Sequence, residues 1–215
     1  MKGEMTMQKK KVLLGILALV LVAAISVGGT LAWMTDTTGV VQNTFTSGKV
    51  DIDLKEHELI KDGVGAFTKV DTSKETVSNE GYKLIPGREA QKDPFVKVLT
   101  GSEDCFIYIE VVEENNTLEE GKEGKIVQWE AAQGWTLLTG KTGKNDGAVY
   151  YYNTKQAAGA TVKFLANDKV TINPNFEKLA DETKAPVLKF YAYAVQAEGM
   201  SDAADAWNKG FGTGA

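Results

Sequence analysis

The sequence has few of the residues that cross-link a fold or carry acid–base chemistry. Its 215 residues include one cysteine, one histidine and four prolines. The single Cys105 cannot form a disulfide within the chain, so the fold must be stabilised by packing. In the stretch DCFIYIEVV this cysteine alternates with Ile107, Ile109 and Val111. We therefore predict a buried structural thiol rather than a reactive one.

The single histidine excludes most histidine-based catalytic sites. His57-Glu58 begins like the helical zinc motif of metalloproteases, but Lys61 stands where that motif needs its second histidine. A serine-protease triad would use His57, yet no Gly-x-Ser-x-Gly elbow is present and its charged neighbours predict an exposed ring. A glycine-rich phosphate loop is also lacking. We predict no catalytic residues, no resident metal and no cofactor, and hence a protein that is not an enzyme.

An excess of basic charge is lacking as well. The chain has 24 Lys and Arg against 29 Asp and Glu, a formal charge of −5. The first 32 residues hold four lysines and one glutamate, so their removal would lower the charge to −8. A protein this acidic is a poor partner for nucleic acid or for anionic membrane surfaces.

The only long apolar run lies near the N-terminus, at residues 12–27, behind a lysine-rich start. This order is typical of a secretory signal-peptide helix, and the run is shorter than the roughly 20 residues that span a membrane. Extension through Trp33 would just reach spanning length, so an uncleaved anchor is the alternative. Small residues before Trp33 predict cleavage beside Ala32 or Trp33. We predict a signal peptide at 1–32, an arm at 33–48 and a folded domain at 49–215.

The remainder of the chain is dominated by short strand patterns. In KVDIDLK, the apolar residues Val50, Ile52 and Leu54 alternate with aspartates, as in a half-buried strand. Eight further candidates are PFVKVLT, DCFIYIEVV, KIVQWEA, GWTLLTG, AVYYYN, TVKFLA, DKVTI and VLKFYAYAVQA. About nine strands without a long helix between them predict an all-β antiparallel sandwich of two sheets.

The segment SDAADAWNKG near the C-terminus predicts one short helix. Ser201 or Asp202 can cap it, and Ala203, Ala206 and Trp207 fall on one side. We expect Trp207 to hold this helix against the sandwich.

A weak candidate for a calcium site lies in the first strand. Asp51 and Asp53 share one face, with Glu56 and Glu58 close behind, and carboxylates are the ligands that calcium prefers. The alternative is the ordinary solvated face of an edge strand.

The opening of the predicted mature chain, GGTLAWMTDT followed by NTFTSGKVDIDL, resembles the TasA/camelysin family of exported proteins from Gram-positive bacteria. Further likenesses are KLIPGREAQKDPFVKV, GSEDCFIYIEV, GWTLLTG with AVYYYN, and YAYAVQAEGMSDAADAW. The resemblance implies a jelly-roll-like sandwich and cleavage by a signal peptidase of the SipW type. It also implies a secreted role in the extracellular matrix or at the cell surface, as a fibre-forming protein of biofilms.

The arm at 33–48 suggests how such fibres would form. It is polar and carries the apolar residues Val40, Val41 and Phe45, so it could add as a strand to the sheet edge of another copy. The expected partners are further copies of the chain, an accessory matrix protein, and the signal peptidase; a membrane would be a partner only of the uncleaved precursor. The alternatives are an arm folded back on its own domain, a camelysin-like surface metallopeptidase, or a monomeric adhesion or accessory module.

Overall fold

The computed structural model describes residues 49–60, 69–119, 121–179, 181 and 183–212. The predicted signal peptide, the cleavage residues Ala32 and Trp33, and the arm residues Val40, Val41 and Phe45 lie outside these stretches. The elements of the described part are β1 (Ile52–Ile60), β2 (Lys69–Thr76), β3 (Glu89–Gln91), β4 (Phe95–Val98), β5 (Cys105–Glu114), β6 (Val127–Gln128), β7 (Trp135–Thr142), β8 (Ala148–Tyr152), β9 (Thr161–Lys163), β10 (Lys169–Ile172), β11 (Val187–Gln196) and the helix α1 (Ala203–Phe211).

The strands form three sheets in which every pair is antiparallel. Their strand orders are β2-β1-β4-β9, β3-β10-β6 and β11-β5-β8-β7. Within the described residues no helix is long and apolar enough to cross a membrane. The predicted all-β class with one short C-terminal helix is confirmed.

One core joins the three sheets, because its buried residues come from all of them. The β11-β5-β8-β7 sheet contributes the inward row Cys105, Ile107, Ile109 and Val111, as the alternation in β5 predicts. The opposing layer contributes buried side chains from β4, β6, β9 and β10, namely Val96, Val98, Val127, Val162, Val170 and Ile172. The result is a sandwich whose second layer is divided into two sheets.

The predicted count of two sheets is therefore wrong, and the reason is local. After β9 the chain makes a 3-10 turn at Ala166–Asp168, in which Asn167 and Asp168 both have a φ of 56°. Such left-handed backbone reverses the chain direction sharply. The strand that follows, β10, then pairs with β3 and β6 instead of continuing the sheet of β9.

The helix α1 packs on the outer face of the β11-β5-β8-β7 sheet. Trp207 is buried against Tyr108, with ring centroids 5.0 Å apart, and Tyr193 and Phe211 surround it. Asp202 caps the helix, since its side chain accepts a 2.8 Å hydrogen bond from the backbone N–H of Asp205. The predicted cap and the role of Trp207 are both confirmed.

The strand predictions hold best where apolar residues alternate. Pro94 directly precedes β4, so it marks a strand start, and β4 lies between β1 and β9 inside its sheet. The candidate KIVQWEA shrinks to the two residues of β6. Two strands were not predicted: β2, whose sequence KVDTSKET is almost wholly polar, and the three-residue β3.

Candidate functional site

The strand β11 ends its sheet and leaves one long side without a partner strand among the described residues. All ten of its residues pair with β5, from Val187 opposite Glu114 to Gln196 opposite Cys105. On the other side β11 pairs with no described strand, and an unpaired strand side presents backbone N–H and C=O groups that a further strand could bind. We call this side the β11 free edge.

A groove runs beside the first part of this edge, between the two layers of the sandwich. It has a volume of about 450 Å³ and reaches the core residues Val170 and Ile172. Leu84 and Leu188 line its sides, and Tyr82 stands at its wall. A concave, mainly apolar lining of this size suits the insertion of apolar side chains.

A second concavity of about 530 Å³ continues the first between β1 and β11. The two share Asn79, Lys92 and Leu188, so we call them together the β11 groove. Its rim carries two of the exposed large apolar side chains of the described residues, Val77 at 83% and Val187 at 39% exposure. Exposed apolar side chains at the mouth of an apolar groove are typical of an interaction surface.

The polar floor of the groove is an ion pair. The Lys92 ammonium lies 2.6 Å from Oε2 of Glu56, and both side chains are largely buried. The same ammonium lies 5.6 Å from the ring centroid of Phe190 and 5.9 Å from that of Tyr82. The Tyr82 hydroxyl donates to the backbone oxygen of Gln91 at 3.1 Å, and burial raises its pKa, so the phenol stays neutral. Because the charges of Lys92 and Glu56 neutralise each other, the floor contributes to the shape of the groove but gives it no net charge.

Asn79 holds the outer wall of the groove against β1. Its Nδ2 donates to the backbone oxygen of His57 at 2.8 Å, and its Oδ1 accepts from the backbone N–H of Leu59 at 3.0 Å. The side-chain amide of Asn79 thus makes the two backbone hydrogen bonds to β1 that a neighbouring strand would otherwise make. This contact positions the segment that contains Val77 and Tyr82.

The expectation that His57 is exposed is wrong. Its side chain is only 15% exposed, and Nδ1 lies 2.5 Å from Oδ2 of the buried Asp93. The backbone N–H of His57 donates to the other oxygen of Asp93 at 3.1 Å, and the ring packs on Phe95 with centroids 4.9 Å apart. No serine, threonine or cysteine side chain among the described residues hydrogen-bonds the ring, so a nucleophilic triad is not assembled there.

The carboxylates of the weak calcium candidate do not converge. Asp51 is paired with Lys49, and Asp53 lies 3.3 Å from Lys55. Glu56 points to the opposite, inner face, where it binds Lys92. In the part of the chain that the structure describes, no group of three or more His, Cys, Asp or Glu side chains could hold a metal ion.

Cys105 lies in the core and is fully buried. Burial, with a smaller contribution from Asp104, raises the pKa of its thiol to about 11. A thiol in this state is a poor nucleophile at neutral pH, as expected for a structural cysteine.

The β11 groove was missed by sequence reasoning, and so was the His57–Asp93 pair. Residues from 54 to 191 line the groove, and His57 and Asp93 are 36 positions apart. The apolar Val77 in an otherwise polar stretch is the one local sign that could have drawn attention to the rim.

One family comparison matches part of the chain. Residues 7–76 match the family described as camelysin metallo-endopeptidase, and the match ends at Thr76, where β2 ends. No curated protein and no solved structure matches the chain. The matched region contains the N-terminal stretch on which the predicted resemblance mainly depends. The similarity over residues 7–76 confirms the predicted resemblance of the N-terminal region to the TasA/camelysin family.

Proposed function

We propose that the protein is a secreted structural subunit that assembles into fibres of a biofilm matrix. In this assembly the arm at 33–48 of one copy adds as a strand to the β11 free edge of another. The observation that carries the proposal is the long side of β11 that no described strand pairs, beside an apolar groove.

The arm has the composition that this groove can accept. In an extended chain, residues four positions apart share a face, so Val41 and Phe45 would point into the groove and Val40 away from it. Burial of one such side chain contributes about 1.5–3 kcal/mol before ordering costs. Each backbone hydrogen bond to β11 adds about 0.5–1.5 kcal/mol. The exposed Val77 and Val187 at the rim would be covered in the same step.

The geometry of such a contact favours filaments over closed dimers. The donor surface is the arm and the acceptor surface is the β11 groove, so each copy uses two different patches. A contact between different patches is heterologous and propagates when its rotation does not close. Removal of the signal peptide would free the arm, so the uncleaved precursor in detergent should not polymerise while the cleaved chain does.

The test is negative-stain electron microscopy of chains that begin at Trp33 or Met34, compared with chains that lack all residues through Ser47. Filaments from the longer chains alone support arm donation. Filaments from both preparations would keep the fibre role but move the contact away from the arm. Monomers in both preparations, across pH and salt, would favour the adhesion or accessory module.

A pair of edge variants tests the acceptor side. Val187→Lys places a charge at the rim of the β11 groove, whereas Leu137→Lys places one on β7, the opposite edge of the same sheet. The two residues are matched in exposure, at 39% and 45%. Loss of filaments in Val187→Lys alone supports the β11 free edge, and loss in Leu137→Lys alone would assign the contact to β7.

The family description as a metallo-endopeptidase supplies a second candidate function. The observation that favours it is the His57–Asp93 pair, because a carboxylate commonly orients a zinc-binding histidine in this way. The assay is casein hydrolysis with and without a chelator. Chelator-sensitive hydrolysis that disappears in His57→Ala supports a peptidase, and hydrolysis that persists in this variant argues against a site at His57.

A further inference from the structure

A polar cleft lies on the outer face of the β3-β10-β6 sheet, away from the β11 groove. Its volume is about 720 Å³, and its lining comes from all three strands, from the 3-10 turn and from the segment after β6. None of the contacts discussed above uses it.

The strand register places a row of hydrogen-bonding side chains across this cleft. Thr171 on β10 is paired with Gln128 on β6 and with Glu89 on β3, so the three side chains share the outer face. Neighbouring strands lie about 4.8 Å apart, which is close to the length of one pyranose ring. Asn167 and Glu130 extend the row at the end of the cleft.

Four of these side chains have no partner within the described part of the chain. Gln128, Glu130, Asn167 and Thr171 line the cleft, and their side-chain polar atoms make no hydrogen bond or ion pair to any described residue. Together they offer amide and hydroxyl groups, which both donate and accept, and a carboxylate, which accepts. Groups of this kind that converge on one concavity suit a ligand rich in hydroxyls.

An aromatic surface lies beside this row. Trp129 is half-buried and packs on Phe164 and Tyr150, with ring centroids 5.7 and 5.8 Å away. Its Nε1 donates to Oε1 of Glu113 at 2.9 Å, which fixes the ring orientation. The ammonium of Lys125 lies over the ring, 5.6 Å from its centroid, and its side chain is about half exposed, so a stacked ligand would have to displace it. A rigid indole of this kind provides a surface for stacking.

The charges around the cleft argue against an anionic ligand. The ammonium of Lys169 is paired with Glu89, and that of Lys125 lies 2.5 Å from Glu113. The carboxylate of Glu130 is left without a neutralising lysine among the described residues. The electrostatic potential in the cleft is therefore weak and slightly negative, which disfavours the binding of phosphate and of uronic-acid polymers.

We propose that this cleft binds a neutral saccharide chain, with a sugar ring stacked on Trp129 and its hydroxyls bonded to Gln128, Asn167 and Thr171. The inference does not depend on fibre assembly, since the cleft belongs to a different sheet from β11.

The test is isothermal titration calorimetry of the purified full chain with cellohexaose, laminarihexaose and chitohexaose. We expect saturable binding of at least one of them, with a Kd below about 1 mM. Absence of binding by all three would overturn the proposal. Tighter binding of an oligogalacturonate than of any neutral hexasaccharide would overturn it as well.

Variants then locate the binding. Gln128→Ala with Thr171→Ala should weaken the affinity about tenfold or more, because both changes remove hydrogen-bonding groups from the cleft. The control is Gln91→Ala with Thr161→Ala, which removes the same residue types from strands β3 and β9 outside the cleft. Equal affinities in the two double variants would place the binding elsewhere and overturn the proposed site. Thermal unfolding of both variants verifies that they are folded.

Discussion

Glu110 offers the most decisive test of how this sandwich is stabilised. The residue lies in the middle of β5, on the outer face of its sheet, and its side chain is fully buried. It accepts hydrogen bonds from the backbone N–H of Asn145 (2.8 Å), the side chain of Asn145 (3.0 Å), the backbone N–H of Gly147 (2.8 Å) and the Tyr193 hydroxyl (2.5 Å). One carboxylate thus fastens the β7–β8 turn and β11 to β5.

The perturbation is Glu110→Gln, which keeps the shape of the side chain and removes its charge. Hydrogen bonds to a charged acceptor contribute about 1.5–3 kcal/mol each, against about 1 kcal/mol for neutral pairs. Some donors can reorient toward the new amide, so we expect the free energy of unfolding to fall by about 2–3 kcal/mol at pH 7.

The pH dependence provides an independent check. Burial alone would raise the pKa of Glu110, but the hydrogen bonds from Tyr193, Gly147 and Asn145 outweigh it and hold the pKa below the ordinary 4.5. A lowered carboxyl pKa means that the stabilisation is fully present above 4.5 and is lost as the pH falls through the folded-state value. The difference between wild type and Glu110→Gln should therefore shrink as the solution becomes acidic.

The assay is urea unfolding, followed by circular dichroism, at pH 7 and at several values below the ordinary pKa of 4.5. The control is Glu114→Gln on the same strand, where the carboxylate is exposed and lies 2.5 Å from Lys189. Exposed ion pairs contribute about 0–1 kcal/mol, so this control should change little. Equal stability of Glu110→Gln and wild type at pH 7, or a difference that grows toward acid pH, would refute the reasoning.

Three further predictions concern stability, and each is measured by thermal or urea unfolding. Trp207→Ala should lower the free energy of unfolding by about 3–5 kcal/mol, because it removes the side chain that packs α1 against Tyr108. A decrease below about 1 kcal/mol would show that this packing is dispensable for stability. Asp202→Ala should lower the free energy of unfolding by about 1 kcal/mol, because the helix loses its N-cap. Asp202→Asn, which can also cap a helix, should retain most of the wild-type stability. Gly134→Ala should cost about 1–3 kcal/mol, since φ is +96° and a Cβ would lie 2.8 Å from the Tyr152 ring; an unchanged stability would contradict this geometry.

Local patterns were sufficient to predict much of the sandwich. The period-two alternation in β5 predicted which of its residues face the core, because successive side chains of a strand point to opposite faces. The helix α1 could also be predicted from the sequence, since its capping residue and its apolar side lie within a few residues of one another. The polar strand β2 could not be predicted from the sequence, because it forms by pairing with β1 rather than by burying an apolar face.

The candidate site could not be predicted in the same way. His57 has charged neighbours along the chain, yet Asp93 and Phe95 from another part of the sequence bury it. The division of the second layer depends on the left-handed residues of one short turn. Such features depend on which distant segments of the chain meet in the fold. The alternation of apolar and polar residues within one strand carries no information about that.

The sequence by itself determined the strand content, the buried thiol, the C-terminal helix and the family resemblance of the N-terminal region. Each of these follows from residues that are close together in the chain. Only the tertiary structure decided that β11 ends its sheet, that an apolar groove runs beside it, and that a polar cleft crosses the β3-β10-β6 sheet. Strand order and the approach of distant segments set those features, because a sheet edge exists only once every other strand has taken its place.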